Sequence, residues 1–139
     1  MRHLYKIIIF SFYLNVFYSG FSLAEEPQSL ATPQITQTEF VALQSSQSDF
    51  LLLDVRSAEE FSAGHIKNAK NIPHSDINNH LTSLLAFKDK KVIVYCRSGR
   101  RAGLVEKELV EKGFSNVLHL QGDMNGWQES NLPTVSQKE

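Results

Sequence analysis

Two short runs of apolar residues constrain the fold of this sequence most strongly. Residues 50–55 read FLLLDV and residues 92–95 read VIVY. A strand that is exposed on one face alternates apolar and polar residues, whereas a near-continuous apolar run is typical of a strand covered on both faces. The two runs therefore predict buried strands of a parallel sheet with helices packed on both of its faces.

Helix-start signals alternate with these strands. Thr36 with Glu39, and Ser57 with Glu60, form capping-box patterns in which the two residues bond each other's backbone amides. The predicted elements are a helix after Thr36, a strand at 50–55, a short helix after Ser57, a strand at 69–72, a helix capped by Ser75 and reaching Leu85, a strand at 91–95, a helix from about Arg100 to Gly113, a strand at 116–120 and a last helix with Trp127. This alternation predicts a small α/β domain with a central, mostly parallel sheet and right-handed crossovers.

The first 24 residues have the features of a secretory signal peptide. Arg2 and Lys6 precede an apolar stretch at 7–17, and residues 22–24 (SLA) fit a small-x-small cleavage site. An uncleaved anchor is the alternative, but the stretch is short for a spanning helix, which needs about 20 apolar residues. We predict a signal peptide at 1–24, a polar tether at 25–34, one domain at 35–135 and a tail at 136–139. The protein would then be periplasmic or secreted, with no stable membrane association after cleavage.

Charge and cysteine content narrow the functional classes. Residues 1–24 carry two of the 14 basic residues and none of the 15 acidic ones, so their removal changes the net charge from −1 to −3. A mildly acidic domain is a poor partner for nucleic acid. With one cysteine no internal disulfide forms, and no histidine stands at metal-ligand spacing from it, so we expect neither a metal nor a cofactor.

That single cysteine, Cys96, lies where the strand at 91–95 runs out into the string CRSGRRA, before a helix. The amides of such a loop and of the first helical turn have no intrahelical partners and face the concavity. The helix dipole and nearby guanidinium groups favour a thiolate there. We predict that Cys96 is a nucleophile, while the alternative is a small buried hydrophobic residue. The predicted anion-binding loop comprises Arg97, Ser98, Gly99, Arg100 and Arg101, and Arg101 is the preferred inward-pointing anion binder.

A second group of residues is expected to support this loop. Asp54, Arg56 and Glu60 follow the first buried strand, and we interpret them as an ion-pair and capping network that shapes loops. His65 lies between Gly64 and Ile66 and is interpreted as a hydrogen-bonded turn residue. Trp127 is expected to fill the core between the last helix and the sheet.

Three ordered motifs together resemble the rhodanese family of single-domain sulfurtransferases. The strings are LLLDVRSAEEFSAGHIKNAKNIP, YCRSGRRA and LQGDMNGW, and the resemblance covers roughly Thr36 to Pro133. The resemblance implies that Cys96 takes a sulfane sulfur from a donor such as thiosulfate, becomes a persulfide, and passes the sulfur to cyanide or a thiol. The sequence departs from the family pattern at Asp123, where a second glycine is usual, and aspartate adopts positive φ less readily than glycine.

Loop length separates the two reactions expected on this fold. The segment from Cys96 to Arg101 holds six residues, one fewer than the C-x-x-x-x-x-R loop of related phosphatases, so it suits a sulfur atom better than a tetrahedral phosphate. A cysteine-dependent phosphatase or arsenate-handling enzyme is the enzymatic alternative. A non-catalytic module that binds a persulfide or thiol partner is the other, and an exported thiol or redox protein is then a candidate partner.

Overall fold

The computed structural model describes residues 32–46 and 48–137. The predicted signal peptide, and most of the predicted tether, lie outside the described residues, as do the last two residues of the tail. Within the described ranges no helix has the length and apolarity required to cross a membrane.

The described residues form a five-stranded parallel sheet with helices on both faces, which confirms the predicted fold class. The strand order is β1-β5-β4-β2-β3. The strands are β1 (Gln34–Ile35), β2 (Phe50–Asp54), β3 (Lys70–Asn71), β4 (Lys91–Tyr95) and β5 (Val117–Leu120), and the helices are α1 (Gln37–Ser45), α2 (Ala58–Ala63), α3 (Ile77–Leu84), α4 (Arg100–Glu111) and α5 (Asp123–Glu129). Two single turns of 3-10 helix, His74–Asp76 and Leu85–Phe87, flank α3.

Side-chain alternation along β4 divides the core into two layers. Val92 and Val94 face a cluster that includes apolar residues of α3 and α4, whereas Ile93 and Tyr95 face a cluster with α1 and α5. Successive side chains of a strand point to opposite faces, so a strand buried on both sides must be apolar throughout. This requirement explains the near-continuous apolar runs in β2 and β4, in which the polar residues Asp54 and Lys91 stand only at a strand end.

Both predicted capping boxes are present. Thr36 begins α1 and Ser57 begins α2, and in each case the side chain three residues later bonds back to the cap amide. Each box satisfies amides that a helix start leaves without partners. Because both helices follow directly on strand ends, the caps fix where the chain turns away from the sheet.

The predicted cap at Ser75 is wrong. Residues His74–Asp76 form a 3-10 turn and α3 begins at Ile77, with Asp76 at the N-cap position and no side-chain cap bond. The Asp76 carboxylate instead pairs with Asn79 and His80 on the first turns of the helix. Strand β1 was also not predicted from the sequence, because two residues are too few to show the apolar–polar alternation of a strand.

We expect the aromatic cluster around Phe40 to make a large contribution to the free energy of unfolding. Phe40 is fully buried and packs edge-on against both Phe50 and Trp127. Phe40→Ala should lower the free energy of unfolding by about 3–5 kcal/mol, because it removes a large buried side chain and leaves a cavity. Urea denaturation measures this, with Leu104→Ala on the exposed face of α4 as the control, which should cost less than about 0.5 kcal/mol. Equal effects of the two substitutions would contradict the assignment of the core.

Candidate active site

Cys96 is the first residue of the loop that follows β4, and its side chain still belongs to the apolar core. It continues the alternation of Val92 and Val94, so its side chain points toward α4, and the residue is only 1% exposed. Ala102 and Val105 of α4 belong to the same apolar cluster. The strand therefore places the sulfur at the carboxyl edge of the sheet, where ligand crevices of open α/β folds lie.

A backbone amide of the loop contacts the Cys96 sulfur. The Gly99 N–H donates to Sγ at 3.1 Å. Gly99 has φ of +98°, a left-handed conformation that glycine adopts without steric cost, and α4 begins at the next residue. The amides of Arg100 and Arg101 in the first turn of α4 have no backbone acceptor among the described residues. This arrangement can stabilise a thiolate or a sulfur-bound anion.

The three loop arginines occupy different environments. Arg97 and Arg100 are exposed, whereas Arg101 is half-buried and its guanidinium donates to both carboxylate oxygens of Glu60, at 2.6 and 2.9 Å. This pair lowers the pKa of Glu60 to about 2. It also raises the pKa of Arg101, mainly through the hydrogen bonds to Glu60 and with a smaller contribution from Cys96. The sequence placed Arg101 in an anion-binding role, and the structure adds Glu60 as the residue that holds it.

Asp54 and Arg56 form a buried ion pair where β2 ends. Arg56 donates from Nη2 to an Asp54 oxygen at 2.6 Å, and from the same atom to the Gly64 carbonyl at 2.8 Å. Asp54 is fully buried and Arg56 is 5% exposed, so each charge depends on the other for compensation. The pair joins the ends of α2 and fixes the segment that carries Glu60.

His65 and Trp127 lie in structural positions. His65 stacks on the Phe61 ring at a centroid distance of 3.6 Å and donates from Nδ1 to the Phe61 carbonyl. Its backbone pairs with Val135 near the end of the described chain. Trp127 is 1% exposed and donates from Nε1 to the Pro133 carbonyl at 3.0 Å. Neither side chain has a hydrogen bond to the Cys96 loop among the described residues.

Two buried carboxylates and a partly buried histidine beside the loop were not predicted as site residues from the sequence. His119 Nδ1 lies 2.6 Å from Glu106 Oε1, and His119 Nε2 lies 3.0 Å from Asp123 Oδ2. Asp123 Oδ1 in turn accepts the Cys96 N–H at 2.8 Å. The sequence signals were Asp123 itself, at a position where glycine is usual, and the acidic Glu106 on the face of α4 that carries Ala102 and Val105. No group of three or more side chains suited to hold a metal ion occurs in residues 32–46 and 48–137.

Two cavities border the loop. One of about 320 Å³ is lined by residues that include Arg56, Glu60 and Arg97. The other, of about 750 Å³, lies between β1 and α4 and is lined in part by Gly99 and His119. The smaller cavity is lined by two arginines, Arg56 and Arg97, so it is the candidate entry for a small anionic substrate.

This geometry coincides with a known family. The model of the rhodanese-like domain matches residues 36–130, which include β2, the Cys96 loop and α5. The chain belongs to the rhodanese-like family. Membership confirms the resemblance inferred from the three sequence motifs.

Similar proteins carry names consistent with this membership. A sulfurtransferase of Allochromatium vinosum is 34% identical over 88 residues, which are 63% of this chain and 80% of that protein. An uncharacterized protein of Synechocystis is 34% identical over 92 residues, and the chain spans only 50% of its length. The crystal structure of a rhodanese-related protein from Thermoplasma volcanium is similar with a TM-score of 0.66 and 28% identity, covering 76% of this chain and 99% of that one.

The mostly buried side chain of His119 makes the free energy of unfolding depend on pH over a defined pH range. The carboxylates of Asp123 on α5 and Glu106 on α4 face the imidazole ring of His119, and Lys107 and Glu111 line the adjoining cavity. The hydrogen bonds to Asp123 and Glu106 raise the pKa of His119 to about 10. A histidine of the unfolded chain has a pKa near about 6.5. The stabilisation is therefore fully present below that value and is lost as pH rises to about 10.

The expected result is a free energy of unfolding that declines between these pH values more steeply in the wild type than in His119→Gln. Urea denaturation at several pH values measures both. The variant is the matched control because every other titrating group is retained. Parallel curves for the two proteins would contradict a protonated His119 in the native state.

Proposed function

We propose that this protein is a sulfurtransferase in which Cys96 carries a sulfane sulfur as a persulfide. The observation that carries the proposal is the Gly99 N–H directed at Cys96 Sγ inside a six-residue loop at the end of a central strand. Membership of the rhodanese-like family and the sulfurtransferase name of the Allochromatium vinosum relative support it.

The proposed reaction has two displacement steps. The Cys96 thiolate attacks the outer sulfur of thiosulfate, a new S–S bond forms, and sulfite leaves with the electron pair of the bond that breaks. Cyanide or a thiolate then attacks the outer sulfur of the persulfide, and the Cys96 thiolate leaves unchanged. Sulfur is transferred with no external oxidant or reductant, and the loop amides stabilise the negative sulfur in both states.

Arg101 is the proposed contact for an anionic donor. Its guanidinium is held by Glu60 in the first turn of α4, five residues after Cys96, and Cys96 is among the groups that raise its pKa. A guanidinium has five donors, so the two bonds to Glu60 leave N–H groups available for donor oxygens. The exposed Arg97 and Arg100 contribute a general positive field at the entrance.

A non-catalytic module that binds a thiol partner is the second candidate. The observation in its favour is the 1% exposure of Cys96, since a nucleophile has to meet its substrate. Location outside the cytoplasm is also proposed, on the sequence of residues 1–24, and an exported thiol or redox protein is then the natural acceptor.

The test is thiosulfate:cyanide sulfurtransferase activity together with the mass of the protein after incubation with thiosulfate. We expect thiocyanate formation, and the mass of one added sulfur atom on Cys96. Cys96→Ala should retain the fold and reduce both signals to background, because it removes the only thiol of the chain. Normal turnover by Cys96→Ala would exclude the nucleophile, whereas absence of both signals in the wild type would favour the binding module. Hydrolysis of an aryl phosphate without sulfur transfer would favour the phosphatase.

Donor binding gives a separate prediction. Arg101→Ala should raise the KM for thiosulfate about tenfold, because a hydrogen bond to a charged group contributes about 1.5 kcal/mol or more. Arg100→Ala removes the same charge one residue earlier from an exposed position and should change the KM less than about threefold, as expected for a screened surface charge. Steady-state kinetics at one ionic strength compares them. Equal changes in both variants would show that only the general field matters.

A further inference from the structure

The Cys96 peptide is held by the first residues of α5. Asp123 Oδ1 accepts the Cys96 N–H at 2.8 Å, and the Met124 N–H donates to the Cys96 carbonyl at 3.1 Å. The Asn125 N–H donates to the Arg97 carbonyl, also at 3.1 Å. Both polar groups of Cys96 are therefore bonded to α5, one through a side chain and one through the backbone. Of these bonds, only the one to Asp123 depends on the identity of a side chain.

The orientation of the Asp123 carboxylate is fixed by a second set of hydrogen bonds. Its second oxygen faces His119 Nε2, and the other ring nitrogen of His119 faces Glu106. The three side chains are only 4–13% exposed. Both ring nitrogens can donate at once only in the imidazolium form, so the pair of carboxylates and the ring form a charged chain that leaves Asp123 one orientation.

The side chains of Asp123 and His119 also lie close to Gly99. A Cβ atom added at Gly99 would lie 3.3 Å from Asp123 Oδ2 and 3.7 Å from His119 Cε1. Gly99 is also the residue whose amide donates to Cys96 Sγ. The carboxylate therefore bonds the loop directly at the Cys96 amide, and the carboxylate and the ring both lie close to Gly99, whose amide contacts the sulfur.

Asp123 occupies this position at a conformational cost. Its φ is +52°, a left-handed conformation that side chains other than glycine rarely adopt. A residue held in such a conformation by its surroundings is a reason to look for a role at a nearby site. Here the surroundings are the two bonds of its own carboxylate.

We propose that Asp123, oriented by His119 and Glu106, is a positioning residue that holds Cys96 and the Gly99 amide in the geometry needed for reaction at the sulfur. The assignment rests on the proposed function for its biological meaning. It does not require thiosulfate to be the donor, because reaction of the thiol with a neutral electrophile reports the same geometry.

The test compares Asp123→Gly with Asp123→Asn. Glycine relieves the left-handed conformation but removes the acceptor of the Cys96 N–H, whereas asparagine keeps an oxygen at that place. The readout is the second-order rate of alkylation of Cys96 by iodoacetamide, which is specific because the chain has one cysteine. Glu129→Gly, an exposed acidic residue at the far end of α5, is the matched control.

We expect Asp123→Gly to fold and to react about tenfold more slowly, which is the scale of losing one buried hydrogen bond. Asp123→Asn should stay within threefold of the wild type and Glu129→Gly should be unchanged. In an active enzyme the loss should fall on kcat and leave the KM for thiosulfate within threefold, since Asp123 does not bind the donor.

Wild-type alkylation by Asp123→Gly would overturn the proposal, and so would equal losses in the glycine and asparagine variants. Failure of Asp123→Gly to fold would also overturn it, by showing that Asp123 serves the fold and not the loop. These outcomes are separable from failure of the proposed function. A protein without sulfur transfer can still show the predicted order of alkylation rates.

Discussion

The turn between β4 and α4 has to satisfy its backbone polar groups without a neighbouring strand, and the site depends on how it does so. Unpaired buried amides and carbonyls are costly, so they must find partners outside the regular ladder. The start of α5 supplies them, through the Asp123 carboxylate and the Met124 and Asn125 amides. Among the remaining amides of the turn, the Gly99 N–H donates to the Cys96 sulfur.

Two charged assemblies contact the residues of this turn and of the first turn of α4. In one of them Glu60 of α2 fixes the Arg101 guanidinium. In the other, Glu106 of α4 and Asp123 of α5 enclose the His119 ring. A buried ion pair with well-made hydrogen bonds is weak evidence for stability but can impose one arrangement on its neighbours. Here the neighbours are the two ends of the same short loop, so the charges restrict the loop without having to contact a substrate.

Much of the architecture could be predicted from local patterns. The apolar runs at 50–55 and 92–95 specify buried strands because a strand covered on both faces has few positions for a polar side chain. The pairs Thr36 with Glu39 and Ser57 with Glu60 specify helix starts because capping depends on residues three apart. The prediction failed at Ser75, because Asp76 takes the cap position and its carboxylate bonds side chains of α3. It also missed β1, a two-residue strand that is defined by its pairing with β5.

The sequence by itself determined the fold class and the place of Cys96 at the end of a strand, because both follow from the order of apolar and glycine residues along the chain. Only the tertiary structure decided the partners of the charged residues. Arg101 meets Glu60 across 41 positions of sequence, and Asp123 meets Cys96 across 27. Such contacts arise from the parallel strand order, which brings the carboxyl ends of distant strands together, and no local pattern encodes which side chains then lie within hydrogen-bond distance.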